Sequence, residues 1–504
     1  MSLLVLLAAS TVFANDIPVT SSEAALGPVR ALSSARISTA LEAEKTEAQI
    51  VLDAAPNAKR ETVLRWNRIA IDATGVDHTP VQPGEIRSYG EQLGPGRSAR
   101  ALAIVQIAVF EAMNAIDGNH QSYIGMHKVH AGPSLRAAIA QAAHDTLIVM
   151  FPSQQASFDA ALRLDLKSIL NIPARRAGRA IGAMAAARTL AMRSDDGSAH
   201  AEPMMDIEFL PGQEAGKWRQ DPISLIPIAL GANWGHVRPF VMQTSEQFRV
   251  PPPPAMESAE YALAFDEVIR LGGDGIVTPT ERTAEQTFTG TYWGYDGTPG
   301  LGVPPRLYNQ ITATIAMQQG SNARQLARLF ALVNVAMADA GIAAWESKYY
   351  YQFWRPIGGV READVGMGPT GTGDGNPGTL ADPDFMPLGA PASNLLGPNG
   401  TPPFPAYPSG HATFGGALFQ VLRRFYHTDN IAFTFVSDEF NGKTADHAGV
   451  IRPLRPRSFT SLSQAEEENG QSRIYLGIHW SFDKNAGLTQ GEQIGDYVGD
   501  RLFR

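Results

Sequence analysis

Three short stretches in the second half of the chain place cationic and proton-active side chains close together with few acids among them. The first is Lys348-Tyr-Tyr-Tyr-Gln-Phe-Trp-Arg355-Pro356. Its two cations stand seven residues apart, so helical spacing predicts that they leave one face, with Pro356 stopping the helix soon after Arg355. Taken alone, the pair reads first as a solvated basic face; the aromatic neighbours imply instead that it points inward, where unpaired cations are costly. The second stretch is Pro408-Ser409-Gly410-His411, a turn feeding a helix. Ser409 is a natural N-cap, the Gly410 amide faces the anion-attracting helix N-terminus, and His411 in the first turn can exchange a proton with whatever binds there. An ordinary capped helix start also accounts for this tripeptide. The third is Ser472-Arg473, followed by His479 and Asp483. A four-residue spacing lets the Asp483 carboxylate hold one ring nitrogen of His479, freeing the other as nucleophile or metal ligand. An isolated histidine is more often a satisfied core residue.

The elements that must position these groups are helices. Apolar residues three and four apart predict helices over Ser98–Ile116, Ser134–Phe151, Gln154–Leu170, Ala174–Arg193, Glu257–Arg270, Ala323–Trp345 and His411–Tyr426. Period-two strands are scarce, so the fold class is all-α: packed helical bundles in two four-helix-bundle-like halves, with long irregular loops lining a site. The Pro251–Pro254 run cannot be helical and marks the boundary between an N-terminal half over 27–250 and a C-terminal half over 251–504. Residues 362–407 and 428–464 lack periodicity, and loops this long usually line a site. A dinucleotide-type glycine pattern at Gly366–Gly371 follows no strand and contains Pro369, which excludes nucleotide binding there.

Composition narrows the chemistry. With 41 Lys plus Arg, 50 Asp plus Glu and a net charge of −9, the chain has no basic tract for nucleic acid. It has no cysteine, which removes disulfides, thiolate metal sites and thiol nucleophiles. Residues 1–26 open with an uncharged apolar run ending in Val12 and Ala14, the pattern of a signal peptide without a basic start, and predict a periplasmic or secreted protein. No other apolar stretch reads as a membrane span: Ala101–Ile116 is broken by Gln106, Glu111 and Asn114. His127 and His130 have no carboxylate pattern suggesting zinc, and the 14 methionines read as core filler.

In chain order, K-x6-R-P, P-S-G-H and S-R-x5-H-x3-D resemble the signature of the vanadium-dependent haloperoxidases and of the acid phosphatases related to them. The runs Tyr292-Trp-Gly-Tyr-Asp296-Gly, Ala327-Arg-Leu-Phe-Ala-Leu-Val and Pro402-Pro-Phe-Pro-Ala-Tyr-Pro-Ser-Gly-His-Ala-Thr-Phe-Gly-Gly are similar to the fungal chloroperoxidase branch. The resemblance implies a vanadate cofactor and no haem, with His479 as the single protein ligand to the metal. It gives Lys348, Arg355, Arg473, Ser409 and the Gly410 amide to the oxyanion, His411 to acid–base work, and Asp296 to orienting Arg473. Lys348 would also hydrogen-bond the peroxide. Phe404 and Trp345 would form an apolar halide pocket favouring chloride as well as bromide and iodide. The implied partners are hydrogen peroxide, halide ions and small organic acceptors. A phosphatase working through a phosphohistidine at His479, with His411 protonating the leaving group, uses the same signature. Chain length, the absence of expected membrane spans and the flanking runs favour the peroxidase.

Overall fold

The computed structural model describes residues 30–31, 58–129 and 132–504; the expected leader at 1–26 and His130 lie outside them. Ala- and Leu-rich segments fold as α1 (Ala58–Asp77), α2 (Gly94–Asp117), α3 (Leu135–Met150), α4 (Gln155–Lys167) and α5 (Ile172–Arg193). Local chemistry sets their ends. The Ser134 and Asn171 side chains accept from the amides of Ala137 and Ala174, and Gly118, at φ 63°, ends α2 in the left-handed conformation.

The second half supplies α6 (Ala259–Gly272), α7 (Ala284–Tyr292), α8 (Pro304–Gln318), α9 (Ala323–Tyr351), α10 (Pro356–Arg361), α11 (Gly410–Tyr426), α12 (Leu462–Tyr475) and α13 (Ser481–Gly499). Two small antiparallel pairings occur among the described residues: β1 (Arg30–Ala31) with β2 (Leu395–Leu396), and β3 (Phe433–Phe435) with β4 (Arg457–Phe459). Helix α2 packs on α3, α5 and α9, α9 packs on α11, and α11 on α13. One apolar cluster runs from Val63 on α1 through Ile104, Phe330 and Leu418 to Val498 on α13, so both halves share a core. Helices α2 and α9 are long and apolar enough to cross a membrane, yet both are buried inside the protein.

Two features of this packing set up the site. Gly487, Gly491 and Gly495 lie four apart on α13 and face α11. A methyl group at Gly491 would sit 2.2 Å from the Thr413 carbonyl oxygen, and one at Gly487 2.7 Å from that of Ser409. The missing side chains let the two backbones touch, which draws the start of α13 onto the start of α11. The other feature corrects an expectation. Lys348 and Arg355 do not share a helical face, because α9 ends at Tyr351 and Gln352 caps it at φ 53°. Arg355 is extended, at φ −80° and ψ 159°, and Pro356 begins α10 instead of ending α9. A residue before proline is driven out of the helical region, so the seven-residue spacing was never helical.

Candidate active site

Lys348, Arg355, Ser409, His411, Arg473, His479 and Asp483 converge from four places: the end of α9, the start of α10, the start of α11, and the α12–α13 link. All seven are buried. Ser409 caps α11, its Oγ accepting the Ala412 amide at 3.5 Å, while its own amide donates to the Asp483 carbonyl at 2.9 Å. That last bond ties the two helix starts together.

The two histidines are held in opposite tautomers. Nδ1 of His479 donates to Asp483 Oδ2 at 2.8 Å, leaving Nε2 with its lone pair; Arg355 Nη1 stands 3.4 Å away. Asp483 Oδ2 also accepts the Trp480 amide at 3.0 Å, so the carboxylate caps α13 and orients the ring at once. In His411 it is Nε2 that is protonated, because it lies 2.7 Å from the Gly294 carbonyl, which can only accept. Nδ1 of His411 therefore carries the free lone pair. Burial first, then the surrounding cations, hold both imidazoles well below their ordinary range, so both rings are neutral.

The cations divide into satisfied and open groups. The Lys348 ammonium donates to the carbonyls of Pro405, Ala406 and Pro408 at 2.8, 2.8 and 2.5 Å. Those bonds use all three of its hydrogens. Lys348 thus pins the 405–408 loop, and in this arrangement its share in holding an anion is charge. Arg355 donates to the Phe404 and Ile478 carbonyls at 2.9 and 2.8 Å, and Arg473 Nη2 to Asp296 Oδ1 at 2.5 Å. Arg355 Nη2 and Arg473 Nε and Nη1 are buried with no partner among the described residues. Burial lowers the Arg355 guanidinium to about 9 and raises the Asp483 carboxyl to about 7, although Asp483 partly opposes the first shift and the Trp480 amide, Lys348 and Arg355 the second.

This donor set suits a tetrahedral or bipyramidal oxyanion. Orphaned guanidinium hydrogens need oxygen acceptors, and forked donors match several oxygens on one centre. A neutral imidazole with a free Nε2, backed by a carboxylate, is a proper ligand for the central atom.

Above these groups lies a cavity of about 140 Å³. Phe404 and Trp345 form one wall, ring centroids 4.8 Å apart, with Arg355 4.9 Å and Lys348 5.2 Å from the Phe404 ring centre. The first half of the chain also lines it, through His78, Tyr89 and Leu93. No motif marks these three positions, and only the fold reveals them. Asp221 and Glu439 also escaped sequence analysis. Buried Asp221 accepts the Ser224 and Thr401 amides at 3.1 and 2.9 Å and so fixes the strand of chain leading to Phe404. Buried Glu439 accepts the Tyr295 amide at 3.0 Å and binds Arg452, shaping the turn that aims the Gly294 carbonyl at His411 and the Asp296 carboxylate at Arg473. Apart from the Ser224 amide three residues on, the amides they accept, those of Thr401 and Tyr295, lie far along the chain, which no local pattern encodes.

The chain is similar to known proteins in both sequence and fold. Residues 328–504 match the family model "VCPO second helical-bundle domain". Vanadium chloroperoxidase of Curvularia inaequalis is 31% identical, the alignment covering 84% of this chain and 79% of that protein. The solved structure described as the first bacterial vanadium-dependent iodoperoxidase superposes with a TM-score of 0.67 at 22% identity, covering 87% of this chain and 96% of that one. A bacterial vanadium-dependent chloroperoxidase in its holo form gives 0.58 at 16% identity over 83% and 94% of the two chains. The two structures share the fold, and the sequence relationship carries the family: this chain belongs to the vanadium-dependent haloperoxidases.

Proposed function

We propose that this haloperoxidase binds vanadate through His479 Nε2 and uses hydrogen peroxide to oxidise bromide, iodide and chloride. The observation that carries the cofactor assignment is the set of three open guanidinium positions on Arg355 and Arg473, beside a histidine whose ligating nitrogen is kept free by Asp483. When bound, vanadate supplies a Lewis-acid centre that polarises peroxide without changing oxidation state. The Arg355 and Arg473 donors hold its oxygens, with the Gly410 amide at the α11 N-terminus and the Lys348 charge adding to the field.

His411 moves the proton. Its Nδ1 takes a proton from incoming hydrogen peroxide while Nε2 stays committed to the Gly294 carbonyl, and the low basicity of the buried ring favours giving that proton back within the cycle. Halide loses two electrons to one peroxide oxygen and leaves as hypohalous acid, while the other oxygen departs as water; one proton from solvent, beyond the one His411 returns, completes the balance. The Phe404–Trp345 wall excludes water from the approach, which lowers the local dielectric and strengthens the pull of Lys348 and Arg355 on developing negative charge. This supports a reach that includes chloride, the hardest of the three to oxidise. Small organic compounds then take up the halogen.

The test is peroxide-dependent halogenation of a chromogenic acceptor by metal-stripped protein, with and without vanadate, beside a phosphate-ester assay. Vanadate should restore activity and phosphate should block the restoration, since both ions fit the same donors. Full activity in stripped protein, or hydrolysis of the ester in place of halogenation, would overturn the assignment. A phosphatase reading uses the same residues, and the relationship to a chloroperoxidase does not favour it.

A further inference from the structure

An enzyme that forms hypohalous acid in a closed space exposes its own walls to it, and the walls here are unevenly protected. Thiols and thioethers react first with such oxidants. The chain has no cysteine, and none of the described methionines lines the cavity. The aromatic residues of the lining are the next most reactive class. Trp345 turns its reactive pyrrole edge away: its Nε1 donates to the Leu230 carbonyl at 3.0 Å, and a methyl group on Gly231 would lie 2.3 Å from its Cδ1. Tyr295 is fully buried, its hydroxyl donating to Gln310 Oε1 at 2.9 Å and accepting the Asp438 amide at 2.7 Å. His78 has both ring nitrogens engaged, Nδ1 with the Thr74 carbonyl at 2.8 Å and Nε2 with the Gly94 amide at 3.0 Å. Halogen on the nitrogens of His411 or His479 is passed on or hydrolysed, so it leaves no lasting mark.

Tyr89 differs from all of these. It is a half-buried phenol that lines the same cavity as His411, Arg473 and His479. Its loop is fastened on both sides, before the ring by Arg87 donating to the Val76 and Thr79 carbonyls at 2.8 Å each, and after it by the Asp77 carboxylate accepting the Glu91 and Gln92 amides at 2.8 and 2.9 Å. The ring is thus held in the lining of the cavity that the oxyanion site opens into, and part of it still reaches the surface. We infer that Tyr89 is the chain's own halogen acceptor, substituted on the ring carbon next to its hydroxyl when the enzyme turns over without an organic acceptor. The carbon–halogen bond forms as the ring loses a proton and the hypohalous oxygen leaves as water; the oxidising equivalents come from the peroxide already consumed. Burial and Asp77 keep the phenol un-ionised, so the neutral ring reacts.

This inference rests on the halide-oxidising reading, and the experiment separates the two. Vanadate-loaded protein is given peroxide and bromide with no acceptor, digested, and its tyrosine peptides are mapped by mass spectrometry; a parallel sample with a chromogenic acceptor reports hypobromous acid. The control is reagent hypobromous acid added from bulk solution to the same protein, in which the exposed Tyr350 competes on equal terms. The expected result is bromine on the Tyr89 peptide ahead of the Tyr350 peptide in the turnover sample, the order reversing with the bulk reagent. Tyr89→Phe should lose bromine from that peptide while the parallel sample still reports oxidant. Bromine spread by surface exposure in both samples, or none on Tyr89 while the acceptor is halogenated, overturns the inference alone. No oxidant in either sample overturns the halide-oxidising reading and the inference with it.

Discussion

The region around α1–α5 and the region around the oxyanion site bury charge in opposite ways. In the first half, Arg65 pairs with Asp165, which also accepts Trp66 Nε1 at 2.6 Å, and Arg100 and Arg193 share Asp196 at 2.7 Å each. Arg193 also donates to the carbonyls of Pro239 and Arg238, while Asp339 from α9 accepts the amides of Phe240, Val241 and Met242 at 2.6, 2.8 and 3.0 Å. Burial would raise the Asp196 carboxyl, but the hydrogen bond and charge of Arg100, with Arg193, hold it below its ordinary range. In the second half, the carboxylates among the three cations are Asp296 and Asp483, with Asp221 acting on Arg355 as a weaker influence; the Asp483 carboxyl rises to about 7, and two guanidinium groups keep donors unspent. A network in which carboxylates and carbonyls take up all but one buried guanidinium N–H, that of Arg193 Nε, stabilises a fold, whereas one left short of negative charge with three such positions open is a socket for an anion.

The largest effects should come from the socket. His411→Ala is expected to keep vanadate through ultrafiltration while kcat falls by about 10²–10⁴, the usual weight of a positioned acid–base group. His479→Ala should lose the metal itself, measured by elemental analysis of the retained protein; equal retention in both variants would undo the division of labour between the two histidines.

Next in size is a contrast between arginines. Arg193→Ala breaks a buried pair and should cost about 3–5 kcal/mol in urea unfolding. Phosphate at about a hundred times its Kd should still stabilise that variant, as it does the parent, by about 2.7 kcal/mol. Arg473→Ala should erase this increment. An increment surviving in Arg473→Ala would place the anion elsewhere.

Acid should loosen the cavity rim through His78, whose ring is lowered to about 4, chiefly by burial, from an ordinary 6.5. The folded state prefers the neutral ring, so this contribution is complete above pH 6.5 and is lost as pH falls toward 4. It amounts to about 3 kcal/mol. Urea midpoints at neutral and acidic pH should show a shallower acid loss for His78→Gln than for the parent. The smallest effect is expected at the wall. Phe404→His should raise the chloride barrier over the bromide barrier by about 1 kcal/mol, roughly a fivefold change in halide preference. Equal loss on both halides would mean that Phe404 only packs.

Much of this arrangement is legible in the chain. The periodic segments recover α2, α3, α5, α9 and α11 to within a few residues at most ends, because a repeating apolar face is a local property. They recover α4 and α6 as well, whereas no predicted segment marks α1, α7, α8, α10, α12 or α13. Helix α13 is rich in glycine, which disfavours helices locally and is explained only by its close approach to α11. Ser409 as a cap and the His479–Asp483 contact follow from spacing alone. The Arg355 backbone does not, since Pro356 outweighs the helical count. The wall formed by His78 and Tyr89 depends on tertiary packing across more than 300 residues of sequence to His411, and no spacing rule reaches that far.

The packing of α2 on α9 also bears on how the chain is made. About 200 residues lie between the end of α2 and the start of α9. At roughly 5–20 residues per second of synthesis, α2 waits on the order of 10–40 s for that partner. Helices α3 and α5 cover it in part during that time, but its α9-facing side stays apolar and open. A fragment ending near residue 250 keeps that side of α2 uncovered and should therefore be recovered mainly as aggregate, as sedimentation of the expressed fragment beside the full chain would show.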